Sequence, residues 1–155
     1  MDTQEQFKQL KQKLTSEKLL SLSPSNRKEV LKLMTELESS VIREKAQGSF
    51  LSFCSSVWPP FIEGAHHVKM AKAFERVASG ELKRLIINMP PRMGKSQLTS
   101  WLLPAWIMGR SPDKKIIMAS HTAELAVRFG RMVRNLISSE EYDEVFPAVS
   151  LTADS

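Results

Sequence analysis

Apolar positions in the first half of the chain recur at helical spacing. Phe7, Leu10 and Leu14 form a thin stripe in the Lys- and Gln-rich stretch 1–22. Ser23-Pro24 is a helix start signal, with Ser23 as N-cap and Pro24 at the first helical position. Val30, Leu33, Met34, Leu37 and Val41 then share a face, which predicts a helix from Pro24 to about Gln47, stopped by Gly48. The two N-terminal helices are expected to form an αα-hairpin that serves packing or interaction. Phe50, Leu51, Phe53, Cys54, Val57 and Trp58 predict a short helix over Ser49–Trp58, ended by Pro59-Pro60. His67, Met70, Ala71, Phe74, Val77 and Ala78 predict another over Ala65–Ser79, preceded by Gly64 and closed by Gly80. At helical spacing the adjacent His66 and His67 point about 100° apart and do not face one ligand.

The pattern changes after Gly80. Arg84–Met89 and Lys115–Ala119 are short continuous apolar runs, which predict strands buried on both faces and paired in parallel. Between them a helix from Ser96 meets Pro104, which kinks or ends it. Trp101, Leu102, Ala105, Trp106 and Ile107 are assigned to the face against the sheet. Strand, helix, strand is one right-handed βαβ unit. Thr122 is an N-cap for a helix to about Ser138, buried through Leu125, Phe129, Met132, Val133, Leu136 and Ile137. Glu140-Glu141-Tyr142-Asp143-Glu144 reads as a solvated acidic turn rather than paired catalytic carboxylates. The expected fold class is α/β: an incomplete P-loop NTPase with a parallel sheet and βαβ core, preceded by an α-helical N-terminal region. The domains are 1–48, a helical arm or hairpin, and 49–155, the N-terminal part of an ATPase domain.

Composition narrows the classes. With 42% hydrophobic and 25% charged residues, the chain is not expected to be disordered. A single cysteine, Cys54, excludes an intrachain disulfide and a Cys-based zinc site. No apolar stretch is long enough to span a bilayer and the N-terminus has no signal core, so no membrane association is expected. The net charge of +5 allows a polyanionic partner and also serves solubility.

The chemistry concentrates in Met89-Pro90-Pro91-Arg92-Met93-Gly94-Lys95-Ser96-Gln97. Gly-Lys-Ser at the start of a helix has the ingredients of a phosphate-binding loop. Loop and first-turn N–H groups favour an anion, Lys95 adds a point charge on the β- and γ-phosphates, and the Ser96 hydroxyl holds Mg²⁺. The first glycine of G-x-x-x-x-G-K-[ST] falls on Met89, so Pro90-Pro91 must set the turn by their fixed φ. Arg128, Arg131 and Arg134 repeat every three residues, either as a contact for a nucleic-acid backbone or as a solvated helix face. No apolar run after Lys95 ends in the acid that a nucleotide hydrolase needs for its Mg²⁺ shell and attacking water. The chain is therefore expected to be the N-terminal part of a longer protein, or a truncated reading frame.

From about Phe50 to Ser155 the residues resemble the ATPase region of tailed-phage large terminase subunits, the DNA-packaging motors. The resemblance rests on Phe53, Trp58-Pro59, Gly64-Ala65-His66-His67, the run from Gly80 to Ser96, Leu103-Pro104-Ala105-Trp106, and Gly109-Arg110-Ser111-Pro112-Asp113. Ala119 to Ala126 and Phe129-Gly130-Arg131 extend it. That family often reads Pro-Pro-Arg-x-Gly-Lys-Ser/Thr without the first glycine. The resemblance implies ATP and Mg²⁺ as cofactors, catalytic roles for Lys95 and Arg92, the latter reaching the γ-phosphate, and His67 on the adenine side. It implies as partners double-stranded DNA, the small terminase subunit, the portal and procapsid, and further copies in a homo-oligomeric ring. The setting would be the cytoplasm of an infected bacterium. The family's Walker B acids and C-terminal nuclease fall outside residues 1–155, so this chain alone is expected to bind ATP weakly at best and not to turn it over. Alternatives are a superfamily 2 helicase-like ATPase or small-molecule kinase fragment, and a non-catalytic DNA- or subunit-binding module.

Overall fold

The computed structural model describes residues 21–151. The stripe of Phe7, Leu10 and Leu14, and with it the expected hairpin, lies outside them. Two units divide the chain, Met1–Lys45 and Ala46–Ser155, with the boundary inside the first described helix.

That helix, α1 (Pro24–Gly48), starts where the cap signal predicts, with the Asn26 N–H donating to Ser23 Oγ at 3.3 Å. In the first unit its Val30, Met34, Leu37 and Val41 are half-buried and Leu31 and Leu33 exposed.

The second unit is built from α2 (Phe50–Val57), α3 (Ala65–Ala78), a helical run Lys95–Arg110, α6 (Ala123–Ile137) and α7 (Glu140–Val145). The run Lys95–Arg110 has three parts: a first turn α4 (Lys95–Gln97), a π-helical turn Leu98–Leu102, and α5 (Leu103–Arg110). Pro104 does not end it. The Leu103 N–H donates to Leu98 O, five residues back, and this widened turn carries the helix into a residue that has no N–H of its own.

Two aromatic groups fill the core. Phe50 meets Phe74 edge-on at 5.2 Å and Trp106 at 5.5 Å; Phe53 meets Tyr142 at 6.1 Å and Phe146 at 5.9 Å. The polar atoms of the two buried rings Trp106 and Tyr142 have backbone partners, as burial requires: Trp106 Nε1 donates to Ala46 O at 3.1 Å, and Tyr142 Oη to Ala105 O at 2.9 Å. Glu75 of α3 accepts the Phe50 N–H at 3.0 Å, capping α2 where Ser49 makes no side-chain bond. The Phe146 ring lies so close over Gly109 that any Cβ there would strike it.

The α/β expectation is overturned. Among the described residues there is no strand and no sheet, so there is no parallel βαβ core and no P-loop NTPase sheet. Segments 84–89 and 115–119 form neither helix nor strand, and among the described residues no backbone ladder pairs them with each other or with another segment. Only alternate residues of the first segment, Ile87 and Met89, pack on the core, and only Met118 of the second does so. Ile86 and Ile117 are 95% and 94% exposed. A strand exists by pairing with a neighbour, and neither run has one. Trp106, Leu102 and Ala105, assigned to a sheet face, are instead fully buried in the helical core. The acidic run 140–144 is corrected too: it forms helix α7, whose N-cap Ser139 accepts the Tyr142 N–H at 3.3 Å and buries Tyr142 and Val145.

Candidate functional site

Pro90 and Pro91 deliver the chain to a loop with two left-handed residues, Arg92 at φ 65° and Gly94 at φ 74°. For a glycine this conformation is easy; for arginine it costs on the order of 1 kcal/mol and persists only where the surroundings impose it. Alternation of left-handed with other residues turns successive N–H groups towards one side. The first helical bond is Leu98 N–H to Gly94 O at 3.0 Å, so the N–H groups of Lys95, Ser96 and Gln97 have no intrahelical acceptor. Lys95 is half-buried, while Arg92, Ser96 and Gln97 are exposed. Thr99 Oγ1 donates to Lys95 O at 2.7 Å and ties the turn that carries the lysine. The residues from Met89 to Gln97 are thus a loop and helix start without the strand expected before them.

The start of α3 reaches this loop. His67 is its third residue, and its Nδ1 accepts the Gly64 N–H at 3.1 Å, the reciprocal half of a capping box. A Cβ added to Gly94 would lie 3.2 Å from His67 Nε2 and 3.1 Å from a Leu98 methyl. The imidazole therefore occupies the space that a side chain at Gly94 would need. His66 and His67 do not diverge as their spacing predicts. Their ring centroids are 3.8 Å apart, because first-turn side chains lean back together over the helix end. Nε2 of His66 is buried with no hydrogen-bond partner. Burial, then the neighbouring His66, pushes the His67 pKa below its ordinary 6.5. Hydrogen bonding to the Met93 and Ile62 backbones and the charge of Glu63 work the other way.

Behind His67 the aromatic contacts continue. Phe61 lies 5.1 Å from its ring, Trp58 is 5.9 Å from Phe61, and Trp101 of the π turn is 5.5 Å from Trp58. Trp101 Nε1 donates to Met132 O of α6 at 3.2 Å. Sequence reasoning missed this chain of rings. Its one legible signal was a histidine three residues after Gly64, where a side-chain acceptor can reach back to the N-cap N–H.

Arg128, Arg131 and Arg134 are all exposed on α6 and make no ion pair among the described residues. No contact brings them to the loop. Among the described residues no three His, Cys, Asp or Glu side chains group to hold a metal ion, so any Mg²⁺ here would rest on Ser96 and on phosphate oxygens. No described helix is long and apolar enough to cross a membrane. Neither a family model, nor a curated protein, nor a solved structure matches the chain.

Proposed function

We propose that the loop Pro90–Gln97 binds the phosphates of ATP with Mg²⁺, and that the chain belongs to a DNA-packaging ATPase similar to the tailed-phage large terminase subunits. The observation that carries the reading is the pair of left-handed residues, Arg92 and Gly94, immediately before a helical run whose first N–H groups are unpaired. The residues present fit a phosphate group. Lys95 supplies charge, the loop N–H groups supply donors, Ser96 supplies a hydroxyl for the cation, and Arg92 is a second cation at the rim. Bound Mg²⁺ would neutralise phosphate charge. None of the loop's own residues, Met89 to Gln97, is a carboxylate that could activate water, so the chain would hold nucleotide without turning it over. In the whole motor, ATP turnover would drive double-stranded DNA into a procapsid inside an infected bacterium, with the small terminase subunit, the portal and further copies as partners.

Titration of a fluorescent ATP analogue with Mg²⁺ tests this. Saturable binding that is lost in Lys95→Ala is expected, with no hydrolysis above that control. Absence of binding by the unmodified chain overturns the reading.

A second reading, a non-catalytic DNA-binding module, is favoured by the three exposed arginines of α6, which have no acidic partner among the described residues. Replacing all three with alanine would then abolish retention of DNA, while Lys95→Ala would leave it intact.

A further inference from the structure

We propose that His67 is a positioning residue for the phosphate loop, the last member of an aromatic brace that holds the left-handed turn at Gly94. This rests on the reading of the loop given above. The geometry forms a closed circuit. The loop leads into the helical run, and the π turn of that run carries Trp101. Trp101 packs on Trp58, Trp58 on Phe61 and Phe61 on His67, whose Nε2 edge returns to Gly94. His67 is the one member with two polar atoms. Nδ1 is held by the Gly64 N–H at 3.1 Å, which fixes the ring's orientation, and Nε2 lies 3.2 Å from where a Cβ on Gly94 would stand. Gly94 has φ 74°, so the brace acts on the residue whose conformation turns the chain from loop into helix.

The acceptor role of Nδ1 requires the neutral ring. Protonation makes Nδ1 a donor, and the Gly64 N–H then loses its acceptor. The charged or titratable groups around His67 are His66 and Glu63 at its own end of α3. On the loop they are Arg92 and Lys95, which flank the residues it touches. Burial and His66 lower its pKa from 6.5, so the brace is intact above that pH. It fails as the pH drops through the lowered value.

The experiment uses the full chain in two arms. Without nucleotide, amide NMR resonances of Met93, Gly94 and Lys95 are followed between pH 8 and pH 4, beside the imidazole signals of His67. The amides are expected to titrate with the same midpoint as the His67 ring, below 6.5. Loop amides that stay flat through the His67 titration overturn the proposal, whether or not ATP binds. In the second arm, His67→Phe keeps a ring for Phe61 but removes both nitrogens. It is expected to weaken the Mg²⁺-ATP analogue about tenfold, the worth of one lost hydrogen bond, and to flatten the pH profile of binding. His67→Gln, which can cap Gly64 as glutamine does in a capping box, is expected to recover most of the affinity without the pH dependence. Equal affinity and equal pH profiles in the unmodified chain and His67→Phe would also overturn it. If the unmodified chain binds no analogue, the ATP reading falls and the amide titration alone decides the brace.

Discussion

Phe53 and Ile86 are both large apolar residues in short apolar runs, yet Phe53 is fully buried and Ile86 is 95% exposed. The difference lies in what each local conformation needs. A helix satisfies its own backbone, so α2 asks its neighbours only for a surface to pack on, and Phe74, Trp106, Tyr142 and Phe146 supply one. An extended run leaves every other side chain and most of its backbone donors to a partner strand. Segments 84–89 and 115–119 pack on the core at Ile87, Met89 and Met118, and among the described residues no strand lies beside them. The same grade of hydrophobicity therefore produces core in one region and exposed apolar surface in the other.

Substitutions can sharpen or break this contrast. Phe53→Ala should cost the most, about 3–5 kcal/mol, since it empties a site walled by Tyr142 and Phe146; the urea midpoint reads it directly. A loss below 1 kcal/mol would mean the helical core is far looser than its burial indicates. Tyr142→Phe comes next, at about 1–2 kcal/mol, because Ala105 O loses a buried donor.

Burial raises the Tyr142 pKa above its ordinary 10, so the unfolded chain releases that proton first as pH rises. Stability should be unaffected by this group below pH 10 and should fall above it. In Tyr142→Phe the alkaline loss should shrink, as thermal melts at stepped pH would show. The smallest effect is expected for Ile86→Thr and Ile117→Thr, within about 0.5 kcal/mol, as for other surface changes. A loss of 2 kcal/mol or more at either position would show that these segments are covered in solution, and the contrast would collapse.

The helices were legible because their information is local. Ser23-Pro24, Gly80 and Thr122 stand where the caps and stops were expected, and the Thr122 hydroxyl accepts the Leu125 N–H at 3.3 Å. The strands were misread because Leu85-Ile86-Ile87 carries no record of whether a neighbour exists. The acidic run was read as a turn because its charges hid Tyr142 and Val145, whose spacing buries one side of α7. At the site, Gly94-Lys95-Ser96 announced the loop. The approach of His67 to Gly94 spans twenty-seven residues in sequence, and no local pattern specifies it.

The widened turn at Leu98–Leu102 has a mechanical consequence. It acts as a phase adjuster between two ends of one rod, the loop end at Lys95 and the core end at Trp106. Each residue of a helix turns the chain by about 100°. Removing a single residue from this turn would rotate one end against the other by that angle. Either Trp106 would swing out of its slot beneath Ala46, or Lys95 would turn away from the side where His67 meets Gly94. Length here is a tuning parameter, and the extra residue sets the rotational alignment of the loop against the body that carries it.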